Sequence, residues 1–121
     1  MSRSRASAKA AGTRFESEVV AALAEHVDDR IERRAKSGAK DRGDVSGLRH
    51  GGARIVVEVK NVSRLQLGTW VTEAEIERTN DDAAAGLVVH KRHGKGDALD
   101  SYVTCTLRDL IALLTGGERP A

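Results

Sequence analysis

The stretch Arg54-Ile55-Val56-Val57-Glu58-Val59-Lys60-Asn61 combines the alternation of a β-strand with a carboxylate and an ammonium on one face. Because successive side chains of a strand point to opposite faces, Ile55, Val57 and Val59 can enter a core. Glu58 and Lys60 then project together from the other face, about 6–7 Å apart along the backbone. Such a pair can hold a metal ion with a water beside it, or it can simply meet solvent on a half-exposed strand. This stretch alone leaves both interpretations open.

The length and composition of the chain narrow its class. Its 121 residues suit one domain with one core. No apolar run approaches the roughly 18 residues of a membrane span, and the basic N-terminus lacks the apolar segment of a secretory signal. Cys105 is the single cysteine, which excludes an internal disulfide or a cysteine-based zinc site within one chain. We therefore expect a cytoplasmic protein without membrane contact.

Basic residues are concentrated in two blocks, although the net charge is only +2. The first block precedes every acidic residue. The second block comprises residues 90–95 and lies at the end of a predicted strand. Basic blocks are compatible with binding to phosphate backbones, although most surface charge is merely solvated. The aromatic residues are Phe15, Trp70 and Tyr102 alone, which disfavours a protein that stacks single-stranded bases on an aromatic platform.

The order of elements predicts an α/β fold with a mixed sheet flanked by helices. Residues 1–11 are predicted to be a flexible basic arm, residues 12–117 a single domain and residues 118–121 a tail. A first helix is expected at 13–27, with Thr13 and Glu16 as a capping box. A second is expected from Thr69 or Thr72 to about residue 85, and a third from 107. Strands are predicted at 31–35, 44–48, 54–61, 87–90 and 101–106, giving the order α-β-β-β-α-β-β-α.

A turn at Gly51-Gly52 would make residues 44–48 an antiparallel neighbour of the Glu58 strand. Asp44 and Glu58 would then meet at a common end of the sheet. Converging carboxylates repel each other unless a cation lies between them, so this arrangement favours a metal site. Oxygen ligands without a thiolate favour Mg²⁺ or Mn²⁺ over zinc. Lys60 beside the ion can orient a water, whereas Glu16 is equally explained by helix capping.

The spacing of these residues resembles the PD-(D/E)XK nuclease superfamily, which has a restriction-endonuclease-like fold. The likeness rests on helical Glu16, then Asp44, thirteen intervening residues and Glu58-Val59-Lys60. Gly12 to Glu16, Arg33 and Ser37-Gly38 add a narrower resemblance to archaeal-type Holliday junction resolvases and their phage-encoded relatives. The resemblance is best over residues 12–61. It departs from the signature at Gly43, where the superfamily has a proline.

The resemblance implies a Mg²⁺-dependent endonuclease in which Mn²⁺ can substitute. Asp44, Glu58 and the Val59 carbonyl would ligate the metal, and Lys60 would position or activate the attacking water. Glu16 would complete the site as a metal or water ligand. Glu18 competes for this role but should point about 200° away on the helix.

The substrate implied by the resemblance is branched DNA, in particular the four-way junction, in a bacterial or phage-infected cell. A small protomer with one site would act on such a junction as a C2 homodimer. The residues expected to contact DNA are Arg3, Arg5, Lys9, Arg14, Arg33, Ser37, Lys40, Lys91, Arg92 and Lys95. Two alternatives remain: a restriction or repair nuclease with the same catalytic core, and a DNA-binding module that keeps the fold without cutting.

Overall fold

The computed structural model of this protein describes residues 4–35 and 40–121. Its helices are α1 (Arg5–His26), α2 (Leu67–Asn80) and α3 (Leu107–Leu114), with a 3₁₀ turn at Ala98–Asp100. Its strands are β1 (Glu32–Arg33), β2 (Val45–Ser46), β3 (Arg49–His50), β4 (Ala53–Lys60), β5 (Ala85–His90) and β6 (Tyr102–Thr104). The predicted mixed α/β architecture is confirmed. The predicted order differs at one point, because four strands rather than three precede α2.

The strands form two sheets. The larger has the order β3-β4-β5-β6, and the smaller pairs β1 with β2. Strands β4 and β5 are parallel, with Glu58 opposite Val88 and Lys60 opposite His90. The other neighbouring pairs are antiparallel. Parallel neighbours need a crossover connection, and α2 supplies it between β4 and β5.

The turn from β3 to β4 has the backbone that the sequence predicts. Gly51 and Gly52 have φ values of 58° and 83°. Positive φ at both central residues suits a tight hairpin, because its twist then matches that of the strands. Before this hairpin, the Asp44 amide donates to the Val57 carbonyl at 2.8 Å. Residues 44–48 thus return alongside β4, but the prediction that they form its antiparallel neighbour in the sheet is wrong, because β3 pairs with β4 and β2 pairs with β1.

The predicted helix caps are wrong. Helix α1 begins eight residues before Thr13, at Arg5, and its N-cap is Ser4, whose hydroxyl accepts from the Ser7 amide at 3.1 Å. Residues 5–11 of the predicted flexible arm are thus helical, whereas residues 1–3 lie outside the described range. In α2, Thr72 lies inside the helix and donates to the Gly68 carbonyl at 2.9 Å.

The end of α2 was also predicted too late. The helix ends at Asn80, and Asp82 has a φ of 51°. Ala85 and Gly86 instead begin β5, where both are buried. Alanine favours helix as an isolated residue, but packing against the sheet overrides that weak preference here.

Helix α3 confirms the predicted C-terminal helix and is tied to the rest of the fold by Asp109. The buried Asp109 carboxylate accepts from the Gly86 amide at 3.3 Å and pairs with Arg119. Arg119 also binds Glu75 of α2 at 2.8 Å. Within the described ranges, no helix has the length and apolar character needed to cross a lipid bilayer.

The two faces of β4 meet different helices. Ile55, Val57 and Val59 join a core that includes Phe15 and Val19 of α1. Trp70 and Ala74 of α2 pack on the other face of the sheet against Val88. Glu58 lies on this second face with only 8% of its surface exposed. The interpretation of Glu58 as a solvent-facing charge is therefore wrong.

Helix α2 packs so closely on β5 that the contact depends on a missing side chain. A Cβ atom at Gly86 would lie 2.8 Å from the Ala74 carbonyl oxygen, whereas one at Gly68 would meet nothing within 4 Å. We predict that Gly86→Ala destabilises the protein by about 1–3 kcal/mol through overpacking. Gly68→Ala should be neutral or stabilising by up to about 1 kcal/mol. Urea unfolding of both variants tests this, and equal stabilities would contradict it.

Candidate metal centre

The charged end of β4 forms the centre of the site. Lys60 Nζ lies 3.6 Å from Glu58 Oε1 and 2.7 Å from Glu73 Oε2 of α2. Burial by itself lowers the pKa of Lys60, but the hydrogen bond to Glu73 and the charges of Glu58, Glu73 and Asp44 raise it overall. Lys60 therefore carries its proton at neutral pH and acts as a fixed positive charge.

Asp44 reaches this end of β4 because Gly43 precedes it. Gly43 has a φ of 91°, and a Cβ there would lie 2.8 Å from Val56 Cγ1 and 3.0 Å from the Val57 carbonyl oxygen. Proline, with φ fixed near −65°, is incompatible with this backbone. The glycine at position 43 thus has a local structural reason.

The Asp44 carboxylate is held against the backbone of β4. Its Oδ2 accepts from the Val59 amide at 2.7 Å. Because the N–H and C=O of one strand residue point the same way, the Val59 carbonyl faces this edge as well. The structure therefore places Asp44 and the Val59 carbonyl at the end of β4 that carries the Glu58-Lys60 pair.

Two further acids join Glu58. One oxygen of each carboxylate of Asp41, Glu58 and Glu77 lies within 4.8 Å of the others. Oε2 of Glu58 and Oε2 of Glu77 are buried and have no hydrogen-bond partner, although the two carboxyls lie close enough to share a proton. Burial, then Glu77 and then the Asp44 charge raise the pKa of Glu58 to about 10. Burial also raises the pKa of Glu77 to about 6.

These residues fit a hard divalent cation. Buried polar atoms in native proteins nearly always have partners. Glu58 Oε2 and Glu77 Oε2 can therefore still accept a hydrogen bond or bind a metal ion. The donors are all oxygens, which Mg²⁺ and Mn²⁺ prefer. The bare oxygens belong to Glu58 and Glu77, and Asp44 and the Val59 carbonyl add further oxygen donors at the same end of β4.

Glu16 lies in a cleft on the other side of Asp44. The described residues that line this cleft are Lys9, Gly12, Thr13, Glu16, Arg33, Arg34, Ala35 and Asp44. Glu16 Oε2 is 3.7 Å from Arg33 Nη2. Glu58 and Lys60 are not among these lining residues. Asp44 therefore belongs both to this cleft and to the acidic end of β4. It is the residue that connects Glu16 with the Glu58-Lys60 pair.

The residues expected to bind DNA are spread over the surface. Arg3 and Ser37 lie outside the described residues. Lys9 and Arg33 line the cleft, and Lys91 places its Nζ 5.5 Å from the centre of the Phe15 ring. The remaining five are exposed: Arg5, Arg14, Lys40, Arg92 and Lys95. Only Lys9 and Arg33 of the described set are thus in the cleft beside the acids.

Sequence reasoning missed Asp41, Glu73 and Glu77 as members of the site. A signal for Glu77 was present, because it shares the apolar face of α2 with Trp70 and Ala74 at helical spacing. A carboxylate on a buried stripe indicates a partner there. Asp41, by contrast, lies in a polar loop without any local signal.

Comparisons with protein-family models, with curated proteins and with solved structures found no match to this chain.

The raised pKa of Glu58 predicts that stability falls as pH rises. The unfolded carboxyl ionises near 4.5, whereas the folded one keeps its proton to about 10. Between these values the unfolded state loses a proton that the folded state retains, so the free energy of unfolding decreases with pH. Glu58→Gln should remove this loss, raising stability at pH 8 by an amount on the order of 2 kcal/mol.

Thermal unfolding in EDTA from pH 5 to pH 9 checks this prediction, with Glu18→Gln on α1 as the matched control. A wild-type protein as stable at pH 9 as at pH 5 would contradict it.

Proposed function

We propose that this chain is a divalent-metal-dependent DNA endonuclease with a restriction-endonuclease-like fold, acting on branched DNA and in particular on four-way junctions. The observation that carries the proposal is the hydrogen bond from the Val59 amide to Asp44, which fixes Asp44 beside Glu58 and Lys60. Paired carboxylates, a strand carbonyl and an ammonium form the arrangement that the resemblance to PD-(D/E)XK nucleases leads one to expect.

In the proposed reaction Asp44, Glu58 and the Val59 carbonyl would hold Mg²⁺ or Mn²⁺. The bound ion would supply a Lewis acid that lowers the pKa of water and neutralises charge on the phosphate. Lys60, held by Glu73 at 2.7 Å, orients the attacking water and stabilises the negative charge that develops on the phosphate. Its raised pKa favours this role over that of a general base, which would have to be neutral.

The cleft beside Asp44 is suited to the DNA backbone. Lys9 and Arg33 line it together with Glu16, and Arg34 lies beside them, paired with Asp81 at 3.3 Å. Arginine binds phosphate oxygens with its planar donors, and lysine binds them as a point charge. We propose that the scissile phosphate enters from this side, where Glu16 completes the site as a metal or water ligand.

The decisive experiment offers the protein a synthetic four-way junction and a linear duplex of the same sequence in Mg²⁺. We expect paired nicks in the junction and little cutting of the duplex. Asp44→Asn and Glu58→Gln should each lower the cleavage rate about a hundredfold or more, because each removes a carboxylate that would hold the metal ion at the reacting phosphate. The exposed Glu25→Gln on α1 is the control variant.

The other outcomes separate the alternatives. Equal cutting of junction and duplex would favour a restriction or repair nuclease with the same core. Tight binding without cutting in Mg²⁺ or Mn²⁺ would favour a DNA-binding module and contradict the catalytic proposal. Cutting that survives both substitutions would show that the nuclease activity belongs to another site or another protein.

A two-fold symmetric junction is best served by a homodimer, and the exposed side of α3 offers a surface for it. Leu107, Leu110 and Leu114 follow one another at helical spacing with 70%, 39% and 73% of their surfaces exposed. Val103, on the edge strand β6, is also exposed. We propose that a second copy of the chain covers this surface.

Light scattering tests the dimer. We expect a dimeric mass for the wild type and a shift to monomer in Leu114→Glu, since a buried unpaired carboxylate opposes association. Leu99→Glu, equally exposed but on the 3₁₀ turn, should leave the mass unchanged. A monomeric wild type at micromolar concentration would contradict the proposal.

A further inference from the structure

The acids on the α2 side of β4 form a cluster that the nuclease proposal does not use fully. Glu58 and Glu77 are more than nine-tenths buried, with exposed fractions of 8% and 3%. Each has a buried Oε2 without a hydrogen-bond partner. Two carboxylate oxygens without partners inside a fold are costly unless a proton or a cation neutralises them. Asp41 is exposed and brings a third carboxylate to the same place.

The spacing of these oxygens suits the coordination sphere of one ion. Ligands on opposite sides of Ca²⁺ lie about 4.8 Å apart, and those of Mg²⁺ about 4.2 Å apart. The oxygens of Asp41, Glu58 and Glu77 fall within 4.8 Å of one another. Adjacent ligands of Mg²⁺ are only about 3.0 Å apart, so binding of the smaller ion would draw the three carboxylates closer together, and the exposed Asp41 is the one with room to move.

Asp41 is also held in place independently of any ion. Its Oδ1 accepts from the Gly43 amide at 2.9 Å, and its carbonyl accepts from Asn80 Nδ2 at 2.8 Å. These bonds fix the loop before Asp44 against the C-terminal end of α2. The third carboxylate is therefore directed to the cluster by the backbone of the fold.

We propose that Asp41, Glu58 and Glu77 form a divalent-cation site on the α2 face of β4. It shares Glu58 with the Asp44 and Val59 ligand set but has two ligands of its own. The site takes an oxygen-preferring ion such as Mg²⁺, Mn²⁺ or Ca²⁺. It links the loop that carries Gly43 and Asp44 to α2, so that a bound ion stabilises the fold and holds Asp44 in position. The site does not require that the protein cut DNA.

Binding of Mn²⁺ to the full chain without DNA tests the proposal. Titration calorimetry and the electron paramagnetic resonance signal of free Mn²⁺ give the number of sites and their affinities. We expect Asp41→Asn and Glu77→Gln each to weaken one site about tenfold or more. Asp44→Asn should keep that site within about threefold, and Glu18→Gln should match the wild type. Mn²⁺ and Ca²⁺ should raise the melting temperature of the wild type and of Asp44→Asn, but much less that of Glu77→Gln.

Two results of the Mn²⁺ titrations would overturn the proposal. Unchanged Mn²⁺ binding in Asp41→Asn and Glu77→Gln, with complete loss in Asp44→Asn, would place the ion with Asp44 alone and leave the nuclease proposal standing. No binding to the wild type at millimolar Mn²⁺ would also overturn it. The exposed position of Asp41 makes Asp41→Asn a variant that folds, and circular dichroism in EDTA checks this. A wild-type protein that binds Mn²⁺ at this site but does not cut the junction would refute the nuclease function and leave the cation-site proposal standing.

Discussion

The burial of the Glu58 carboxyl is the constraint on which the rest of the site depends. An ionised carboxylate without compensation costs several kcal/mol inside a protein, and a domain of this size is stable by only about 5–15 kcal/mol. Glu58 must therefore be neutralised. Glu77 provides a place for a shared proton, and the oxygens left bare provide a place for a cation. These two states exclude each other, which couples any cation bound at Glu58 to the release of that proton.

Lys60 does not remove this constraint, although it is the nearest cation on β4. Its ammonium lies closer to Glu73 than to Glu58, at 2.7 Å against 3.6 Å. One ammonium thus serves two carboxylates, while Glu77, Asp41 and Asp44 add negative charge around the same point. The cluster is acidic even with Lys60 fully charged. Pairing with Glu73 also fixes the direction of the Lys60 side chain, which a residue that orients a water requires.

Sequence reasoning succeeded where a local pattern determines the structure. The alternation of Ile55, Val57 and Val59 predicted β4, and the Gly51-Gly52 pair predicted the turn before it, because both depend on backbone sterics and on the period of a strand. It failed at the ends of α2, where tertiary packing decides. It also missed Glu77, because the spacing that places Glu77 on a buried stripe acquires meaning only when α2 lies on the Glu58 face. Asp41 reaches the cluster through long-range bonds that no local pattern contains.

The position of Asp44 would allow a buried acid to serve the proposed reaction in a solvent-exposed cleft. Glu58 is enclosed between β4 and α2, whereas Glu16, Lys9 and Arg33 lie around an open cleft. Asp44 lines that cleft and is bonded to the Val59 amide, so one side chain belongs to both environments. In the proposed reaction the phosphate would approach from the solvent-exposed cleft. The charges on the α2 side would stay in a low dielectric, where electrostatic interactions are stronger. The positive φ of Gly43 makes this bridging position possible, because it turns the chain so that Asp44 meets the edge of β4.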